Sequence, residues 1–214
     1  MKTDGTEVTS METPLTLYLL RHAETAYNAD RLHIGGRSPW LPLSENGRTQ
    51  ATACGQQLAA QGLTFDRVFC STALRAVETL RLIQEAWPDL TLHPPVYSDQ
   101  LQELSQGDWE GRLRAEIYTP AQLQEINSNN WLFKAPGGES QQEVEYRMLD
   151  FMNTEIAARF TSGRFLIVGH GCTFKCLLRG VLDSDPADTY KMKIDNCELI
   201  RLIYTAEKKW VRPI

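Results

Sequence analysis

The sequence predicts an α/β fold, a three-layer α/β/α sandwich in which a mostly parallel sheet lies between helices. Short apolar runs typical of buried parallel strands occur at 15–20 and 164–168. Stretches with apolar residues at helical spacing follow them, and strand–helix–strand alternation of this kind favours a parallel sheet with helices on both faces. The length of 214 residues fits one domain whose core needs no disulfide or metal to be stable.

The N-terminal half predicts strands that alternate with helices. Ser44 and Ser71 are of a residue type that favours a helix N-cap, and Gly62 is typical of a helix end. The predicted elements are a strand at 15–20, a helix from after Ser44 to Gly62, a strand at 66–70, a helix capped by Ser71 that runs to about residue 86, and a short third strand at 90–93.

The C-terminal half resumes this alternation after an irregular region. Ser140 and Glu143, just after the turn at 136–138, have the spacing of a capping box at a helix start. The predicted elements are a helix from Ser140 to Phe160, a strand at 164–168, a helix at about 173–179, and a closing hairpin at 199–204 and 210–212.

Charge and hydropathy exclude several classes of protein. Lys and Arg number 22 and Asp and Glu number 27, so the net charge is −5 and neither a nucleic-acid nor a membrane partner is expected. No apolar run is long enough to cross a bilayer. Residues 1–13 are polar and lack the features of a signal peptide. They are predicted to form a flexible N-terminal tail before a single domain at 14–214.

The cysteines indicate a reducing compartment. They are five in number, scattered, and form no CxxC pair, which predicts free thiols and a cytoplasmic location. Cys172 and Cys176 lie four residues apart and could share a helix face, but this pair alone does not make a zinc site.

Two histidines occupy equivalent places in the predicted sheet. His22 follows the first strand and His170 follows the strand at 164–168. Ligands of open α/β sheets bind outside the carboxyl ends of strands, so both side chains are expected to face one crevice. Arg21 stands beside His22, and Arg75 lies at the start of the helix after the second strand. Guanidinium groups and helix N-termini suit phosphate oxygens, so the predicted ligand is a small phosphorylated molecule.

Hydrolysis of a phosphomonoester through a covalent intermediate also needs a proton for the leaving oxygen. Glu103 is a candidate proton carrier, because a nearby phosphate dianion would help a carboxyl to keep its proton. On the residues alone, Asp108 and Glu110 are equally open choices. Two histidines and a carboxylate could also hold a metal, but the neighbouring arginines would repel a divalent cation. Neither a metal nor a cofactor is therefore expected.

Motifs along most of the chain resemble those of the histidine phosphatase superfamily, the phosphoglycerate-mutase-like proteins. The first is LLRHAETAYN at 19–28, similar to the RHG motif of that family. The others follow in the family's order: PLSENGRTQA at 42–51, FDRVFCSTALRA at 65–76, LQELSQGDWEG at 101–111, PGGES at 136–140 and VGHG at 168–171.

This resemblance implies a role for each matching residue. His22 would be the phosphorylated nucleophile, and Glu103 would be the general acid and then the base that activates water. The remaining phosphate-pocket residues implied by the family are Arg21, Arg75, His170, Asn28 and the backbone N–H of Gly171. Two positions depart from the pattern: Ala23 replaces the glycine of RHG, and Gly35-Gly36 replaces a loop that commonly has Thr or Gln before Gly. Arg37 could compensate for the missing side chain.

The segment at about 112–135 is expected to form a small helical lid, and its composition favours the phosphatase branch. Its basic residues are Arg112, Arg114 and Lys134, fewer than a mutase needs to hold a bisphosphorylated intermediate. The predicted protein is a metal-independent histidine acid-type phosphatase for a small metabolite such as a sugar phosphate or an α-ribazole-phosphate-like compound. The alternatives are a cofactor-dependent phosphoglycerate mutase and a catalytically silent phospho-ligand binder. The family resemblance alone suggests a homodimer.

Overall fold

A mixed sheet forms the centre of the protein in the computed structural model, which describes residues 14–90, 92–207 and 209–213. Among these residues, six strands follow the order β3-β2-β4-β1-β5-β6. Strands β1 to β4 run parallel, β5 is antiparallel to β1, and β6 is antiparallel to β5. The strands are β1 (Thr16–Arg21), β2 (Arg67–Ser71), β3 (Val96–Ser98), β4 (Arg164–Gly169), β5 (Leu199–Tyr204) and β6 (Trp210–Val211).

Helices cover both faces of the sheet. α2 and α3 lie on one face, and α6 and α7 lie on the other. The helices are α1 (Ala26–Asp30), α2 (Glu45–Ala60), α3 (Leu74–Ala86), α4 (Arg114–Ile117), α5 (Pro120–Ser128), α6 (Gln141–Phe151) and α7 (Gly171–Leu182). The predicted three-layer sandwich is confirmed. Within the described ranges, no helix combines the length and apolar character that crossing a membrane requires.

The alternation of side chains along the strands explains the two cores. In β1, Leu17 and Leu19 are fully buried in the core beside α6 and α7. Their neighbours Tyr18 and Leu20 point the opposite way, into the core beside α2 and α3. An apolar run without polar interruption is therefore what a strand buried on both faces requires.

The third strand differs from the prediction. The described residues of the predicted 90–93 strand are not in a strand: Leu90 ends a 3₁₀ turn at Pro88–Leu90, and Leu92 is 93% exposed. The strand lies instead at Val96–Ser98, beside β2. Prolines 94 and 95 explain the shift, because neither has an N–H to donate to a neighbouring strand.

Two helix predictions also need correction. Ser71 does not cap α3, whose N-cap is Ala73 without a side-chain hydrogen bond. The predicted single helix from Ser140 to Phe160 ends its α-helical part at Phe151 and continues as a π-helical segment at Met152–Ala157. Its start is as predicted, with a complete capping box between Ser140 and Glu143.

The segment 112–135 contains the two short helices α4 and α5, as expected for a helical lid. The side chain of Trp109 is buried beneath it, against Tyr118 and Phe133. The proposed tail at 1–13 lies outside the described residues.

Candidate active site

Parallel strands bring the two histidines to one edge of the sheet. β1 and β4 pair directly, with Arg21 opposite Gly169, so His22 and His170 leave the sheet at the same level. The centroids of the two imidazole rings are 5.2 Å apart. β2 ends beside them at Ser71, on the other side of β4.

His22 is buried and held in one tautomer. Its Nδ1 lies 2.7 Å from the backbone oxygen of Ala23, which can only accept, so Nδ1 carries the proton. Its Nε2 accepts a 3.3 Å hydrogen bond from Nε of Arg75. Burial, and then the charges of Arg75 and Arg21, hold the pKa of His22 well below its usual range. The ring is therefore neutral near pH 7, with its lone pair on Nε2.

Ala23, the departure from the RHG motif, causes no backbone strain. Its φ angle lies outside the left-handed region that would favour glycine. The residue is fully buried, and its N–H donates to Oγ1 of Thr79 at 3.0 Å. Alanine is therefore compatible with the turn that carries the nucleophile candidate.

His170 is also buried and neutral. Burial, followed by the charge of Arg75, lowers its pKa well below the usual range. Its Nε2 lies 2.7 Å from Oγ of Ser71, and that hydroxyl also accepts from the N–H of Ala73. Nδ1 of His170 is buried and has no hydrogen-bond partner among the described residues. Buried nitrogens without a partner are uncommon in proteins, so Nδ1 of His170 is a candidate to bind a ligand atom.

A short loop fixes the guanidinium of Arg75 beside His22. The side chain is only 3% exposed, and it donates to the backbone oxygens of Gly36, Arg37 and Ser38 at 2.9 to 3.1 Å. Burial lowers the pKa of Arg75 to about 10, against the attraction of Glu103. The group remains a cation at neutral pH.

Arg21 reaches the same site from the end of β1. Its Nη1 donates to the oxygen of Ile194 at 2.7 Å, while its buried Nε has no partner in the described part of the chain. Burial lowers the pKa of this guanidinium as well. Gly171 lies directly against it: a Cβ built there would approach Arg21 Nε to 3.0 Å. Donation by the Gly171 N–H to a phosphoryl oxygen stays a prediction.

The carboxylate of Glu103 is anchored at the start of α7. Oε2 accepts from the N–H of Cys172 at 3.0 Å, and Oε1 accepts from the N–H of Thr173 at 2.8 Å. The hydroxyl of Thr173 lies 2.9 Å both from Oε1 and from the backbone oxygen of Gln102, and its single hydrogen can serve only one of them. The N–H of Leu104 donates to Oε1 as well. Helix α7 thus holds this side chain in one place.

A cavity of about 170 Å³ lies among several of these groups, but His170 and Gly171 are not in its walls. Its walls include His22, Arg21, Arg75, Glu103 and Asn28. The amide oxygen of Asn28 accepts from the N–H of Thr25 and from Asn196, so its amide hydrogens are the groups it can offer a ligand. The cavity is large enough for a phosphate and combines three cations, Arg21, Arg75 and Arg114, with the neutral imidazole of His22.

The other two acidic candidates lie apart from the reacting groups. Asp108 is exposed. Glu110 binds the loop that holds Arg75, where its carboxylate accepts from the N–H groups of Arg37 and Ser38, both at 2.9 Å. Of the three carboxylates, only Glu103 lines the 170 Å³ cavity.

Several residues of the site were not predicted from the sequence, although Ser71 and Glu139 lie within the motifs at 65–76 and 136–140. Ser71 and Thr173 orient His170 and Glu103 through single side-chain contacts. Glu139 accepts from Arg37 at 2.8 Å and from Arg147 at 3.1 Å, and both of these arginines also donate to the backbone oxygen of Glu103. Arg37 therefore helps to hold the backbone at Glu103 in place. Glu139 is a motif position, but its partner Arg37 is distant in sequence, so this contact cannot be predicted from spacing.

The thiols and carboxylates form no metal site. Across the described ranges, no group of three His, Cys, Asp or Glu side chains is placed to hold an ion. All five cysteines are free.

Comparison with known proteins places the chain in a family. A sequence model of the histidine phosphatase superfamily (branch 1) matches residues 17–213. A 2,3-bisphosphoglycerate-dependent phosphoglycerate mutase 2 from Gloeobacter violaceus is 31% identical over 199 residues, which cover 89% of this chain and 86% of that protein.

Two solved structures are similar in fold. One is the α-ribazole phosphatase from Shigella flexneri, with a TM-score of 0.76 and 24% identity over 93% of this chain and 95% of that one. The other is a mycobacterial glucosyl-3-phosphoglycerate phosphatase, with a TM-score of 0.76 and 23% identity over 93% and 97%. At this identity the two structures support the fold alone. The family match and the sequence relative together show that the chain belongs to the histidine phosphatase superfamily.

Proposed function

We propose that the protein is a metal-independent phosphomonoester hydrolase that acts through a phosphohistidine at His22. One observation carries the proposal: a buried, neutral imidazole presents its Nε2 lone pair beside a fixed guanidinium. A neutral imidazole is a nucleophile, and fixed cations stabilise the charge on a transferring phosphoryl group.

In the first step, Nε2 of His22 forms a bond to phosphorus as the bond from phosphorus to the alcohol oxygen breaks. Arg21, Arg75 and His170 would bind the phosphoryl oxygens. Glu103 would give a proton to the leaving oxygen. Three backbone N–H groups donate to this carboxylate, so we infer that its proton enters with the substrate monoanion, since the second pKa of a phosphomonoester is about 6.

In the second step, Glu103 would take a proton from water as the water oxygen attacks phosphorus and the P–N bond breaks. Inorganic phosphate leaves and His22 returns to its neutral form. The proton that Glu103 takes from water then leaves with the phosphate, which departs as its monoanion, so the carboxylate can accept the proton of the next substrate monoanion.

The charge of the lid favours hydrolysis over mutase activity. Arg112 forms an ion pair with Glu116, and Lys134 forms one with Glu143. Only Arg114 among the three lid cations is left without a carboxylate partner in the described chain. A lid with one unpaired cation offers little to retain a bisphosphorylated product for a second transfer.

The proposed substrate is a small phosphorylated metabolite, such as a sugar phosphate or an α-ribazole-phosphate-like compound. A cavity of about 440 Å³ between the lid and α7 supports this, because it has room for the organic part. Leu104, Gln106 and Tyr118 line both this cavity and a smaller one that reaches Glu103.

A cofactor-dependent phosphoglycerate mutase is the second candidate, because the sequence relative from Gloeobacter violaceus carries that name. Assays of 3-phosphoglycerate with and without 2,3-bisphosphoglycerate distinguish the two. Phosphate release that needs no bisphosphate supports the hydrolase. Isomerisation that depends on the bisphosphate supports the mutase.

Trapping tests the covalent step. A ³²P-labelled phosphomonoester, quenched with alkali, should label the wild-type protein in an acid-labile, alkali-stable form. His22→Ala should abolish both the label and turnover while circular dichroism shows a folded protein. Turnover without a label on His22 would contradict the mechanism, and binding without turnover by the wild type would indicate a silent phospho-ligand binder.

A further inference from the structure

The segment at 194–198, which leads into β5, holds Arg21 through both its side chain and its backbone. The backbone oxygen of Ile194 accepts from Nη1 of Arg21 at 2.7 Å. The backbone N–H of Arg21 donates to the oxygen of Glu198, and its backbone oxygen accepts from the N–H of Cys197, both at 3.1 Å. The position of this catalytic-site guanidinium therefore depends on the 194–198 segment.

The same segment also holds the backbone of His22. Nδ2 of Asn196 donates to the backbone oxygen of His22 at 2.9 Å and to the side-chain oxygen of Asn28 at 3.4 Å. A displacement of the 194–198 segment would therefore move the nucleophile candidate and a residue of the 170 Å³ cavity together with Arg21.

Cys197 of this segment contacts a second thiol. Cys54, on helix α2, is 143 residues away in sequence, yet its Sγ lies 4.0 Å from the backbone oxygen of Cys197. The two thiols form a hydrogen bond with each other, and both side chains pack in the core beside α2 and α3. A disulfide requires two sulfurs that face each other in this way.

The two thiols differ in reactivity. Donation by the S–H of Cys197 lowers the pKa of Cys54, which makes Cys54 the better source of a thiolate nucleophile. Cys54 is 7% exposed and Cys197 is partly exposed, so an oxidant as small as a hydroperoxide has access to the pair. Cys70 differs, because it is fully buried and burial raises its pKa.

The backbone of Cys197 makes the segment sensitive to a new bond. Its φ of 59° lies in the left-handed region, which is costly for a residue with a Cβ atom. Such a conformation persists only while the surrounding contacts hold it. A disulfide brings its two sulfurs closer than a hydrogen bond does, so forming one would pull on Cys197 and oppose those contacts.

We propose that Cys54 and Cys197 form a redox-modification site, at which a hydroperoxide produces a disulfide that displaces the 194–198 segment and lowers catalytic activity. The proposal rests on the proposed function, because the activity that falls is the hydrolysis of phosphomonoesters.

The chemistry balances with one hydroperoxide for each disulfide. The sulfur of Cys54 attacks one peroxide oxygen, the O–O bond breaks, and the other oxygen takes the proton of the thiol and leaves as water or an alcohol. The sulfur of Cys197 then attacks the sulfenic sulfur, the S–O bond breaks, and the hydroxyl leaves as water with the second thiol proton. The two thiols lose two electrons, which the hydroperoxide gains. A thiol reductant reverses the change.

Treatment of the wild type with hydrogen peroxide tests the proposal. After alkylation of the remaining thiols, peptide mass analysis should find Cys54 linked to Cys197. The linked protein should have a kcat/KM for phosphomonoesters that is lower by about 10-fold or more, since a misplacement of about 1 Å in a catalytic site can cost about 10²-fold. Dithiothreitol should restore it. Absence of the linked peptide, or unchanged kcat/KM in the linked protein, would overturn the proposal.

Variants identify the responsible pair. Cys54→Ala places a good helix former in α2 and should abolish the reversible loss of activity. Cys54→Ser should give the same result and serves if the alanine variant does not fold. Cys172 and Cys176, a second pair of contacting thiols, provide the matched control. Cys176→Ala should respond to peroxide as the wild type does. A response that is lost in Cys176→Ala but kept in Cys54→Ala would refute the assignment.

Phosphate binding separates this proposal from the proposed reaction. Calorimetric titration with inorganic phosphate measures the affinity of the reduced and the peroxide-treated protein without turnover. Weaker binding after treatment of the wild type, but not of Cys54→Ala, would support the redox site even if the protein hydrolysed no phosphomonoester. Equal affinity and equal kcat/KM in the two forms would overturn it while leaving the hydrolase proposal intact.

Discussion

At the scale of single residues, the site depends on two imidazoles that stay neutral among cations. Burial disfavours the protonated form of His22, and the nearby guanidiniums disfavour it further. The carbonyl of Ala23 then fixes the remaining proton on Nδ1. The same guanidinium charges that would attract a phosphate therefore keep the imidazole of His22 unprotonated.

The pH dependence of the reaction follows from this. We expect kcat/KM to stay high as the pH falls below 6.5, because the lowered pKa keeps His22 neutral there. Above about pH 6 it should decline about tenfold per unit as the substrate loses the proton that Glu103 needs. A pH profile with an alkyl phosphate measures both limbs. An acid limb near pH 6.5 would contradict the first expectation.

Glu103→Gln should separate leaving groups by their need for a proton. For alkyl phosphates we expect kcat to fall by about 10²- to 10⁴-fold, the usual contribution of a general acid, and by much less for p-nitrophenyl phosphate. Asp108→Asn, an exposed carboxylate in the same motif, is the control and should change neither rate. Equal losses for both substrates would remove the general-acid role.

Sequence reasoning placed the histidines and arginines well but could not choose the acid. His22 and His170 follow apolar runs, and parallel strands bring such positions to one edge regardless of loop detail. Glu103, Asp108 and Glu110 lie within eight residues of each other in an irregular region, so periodicity could not rank them. The family resemblance favoured Glu103, and the structure places that residue in the cavity wall.

At the scale of elements, the acidic residue Glu110 holds two loops together beneath the site. Glu110 accepts from the backbone of residues 37 and 38 and from the N–H of Gln106 at 2.9 Å. It therefore joins the segment that follows Glu103 to the loop that binds Arg75. Gly36 has a φ of 53°, and a Cβ there would approach the Glu110 carboxylate to 2.4 Å, so glycine is needed for this contact.

Glu110→Gln tests that connection. An amide can accept at only one atom, so some N–H donors would lose their partners, and we expect the free energy of unfolding to fall by about 1–3 kcal/mol. Arg75 should also be less well held, raising KM for phosphomonoesters. Urea unfolding and steady-state kinetics measure both effects.

Glu116→Gln provides the comparison, because this residue forms an exposed ion pair with Arg112 at 3.6 Å. Such pairs contribute about 0–1 kcal/mol, so its effect should be small. If the two variants had equal effects, Glu110 would not be a structural connection.

The limits of sequence prediction are clearest in the irregular elements. The short strand β3 follows two prolines, and no apolar alternation marks it: Val96 and Tyr97 are both exposed, whereas predicted strands rested on buried runs. The π-helical turn at Met152–Ala157 keeps Met152 and Ile156 buried, so its hydrophobic pattern cannot be distinguished from that of an α-helix. Long, regular elements were predicted within a few residues.

At the scale of the whole molecule, charge is unevenly distributed. The chain is net acidic, and ten of its twenty described lysines and arginines form ion pairs. The arginines around the catalytic cavity lack such partners, and two of them are buried there with lowered pKa values. Stability is therefore expected to depend on keeping that cavity from gaining more positive charge.

The pH dependence of unfolding tests this. Folding lowers the pKa values of both His22 and His170. Below about pH 6.5 these histidines therefore bind protons in the unfolded chain but not in the native state. Stability should fall by about 1.4 kcal/mol per pH unit for each of them. His170→Gln should remove one such contribution from urea unfolding curves between pH 6.5 and 5. At pH 8 its pH slope should match that of the wild type; an unchanged slope at low pH would contradict the assignment.

The hydrogen bond from Arg75 Nε to His22 Nε2 has a consequence for the resting protein. The lone pair of His22 Nε2, which would attack phosphorus, accepts this hydrogen bond from the Arg75 N–H. A phosphoryl group whose oxygens bind the Arg75 guanidinium would break this hydrogen bond and so free the lone pair of His22 Nε2. In the proposed reaction, His22 would therefore become reactive only when a phosphoryl group is bound.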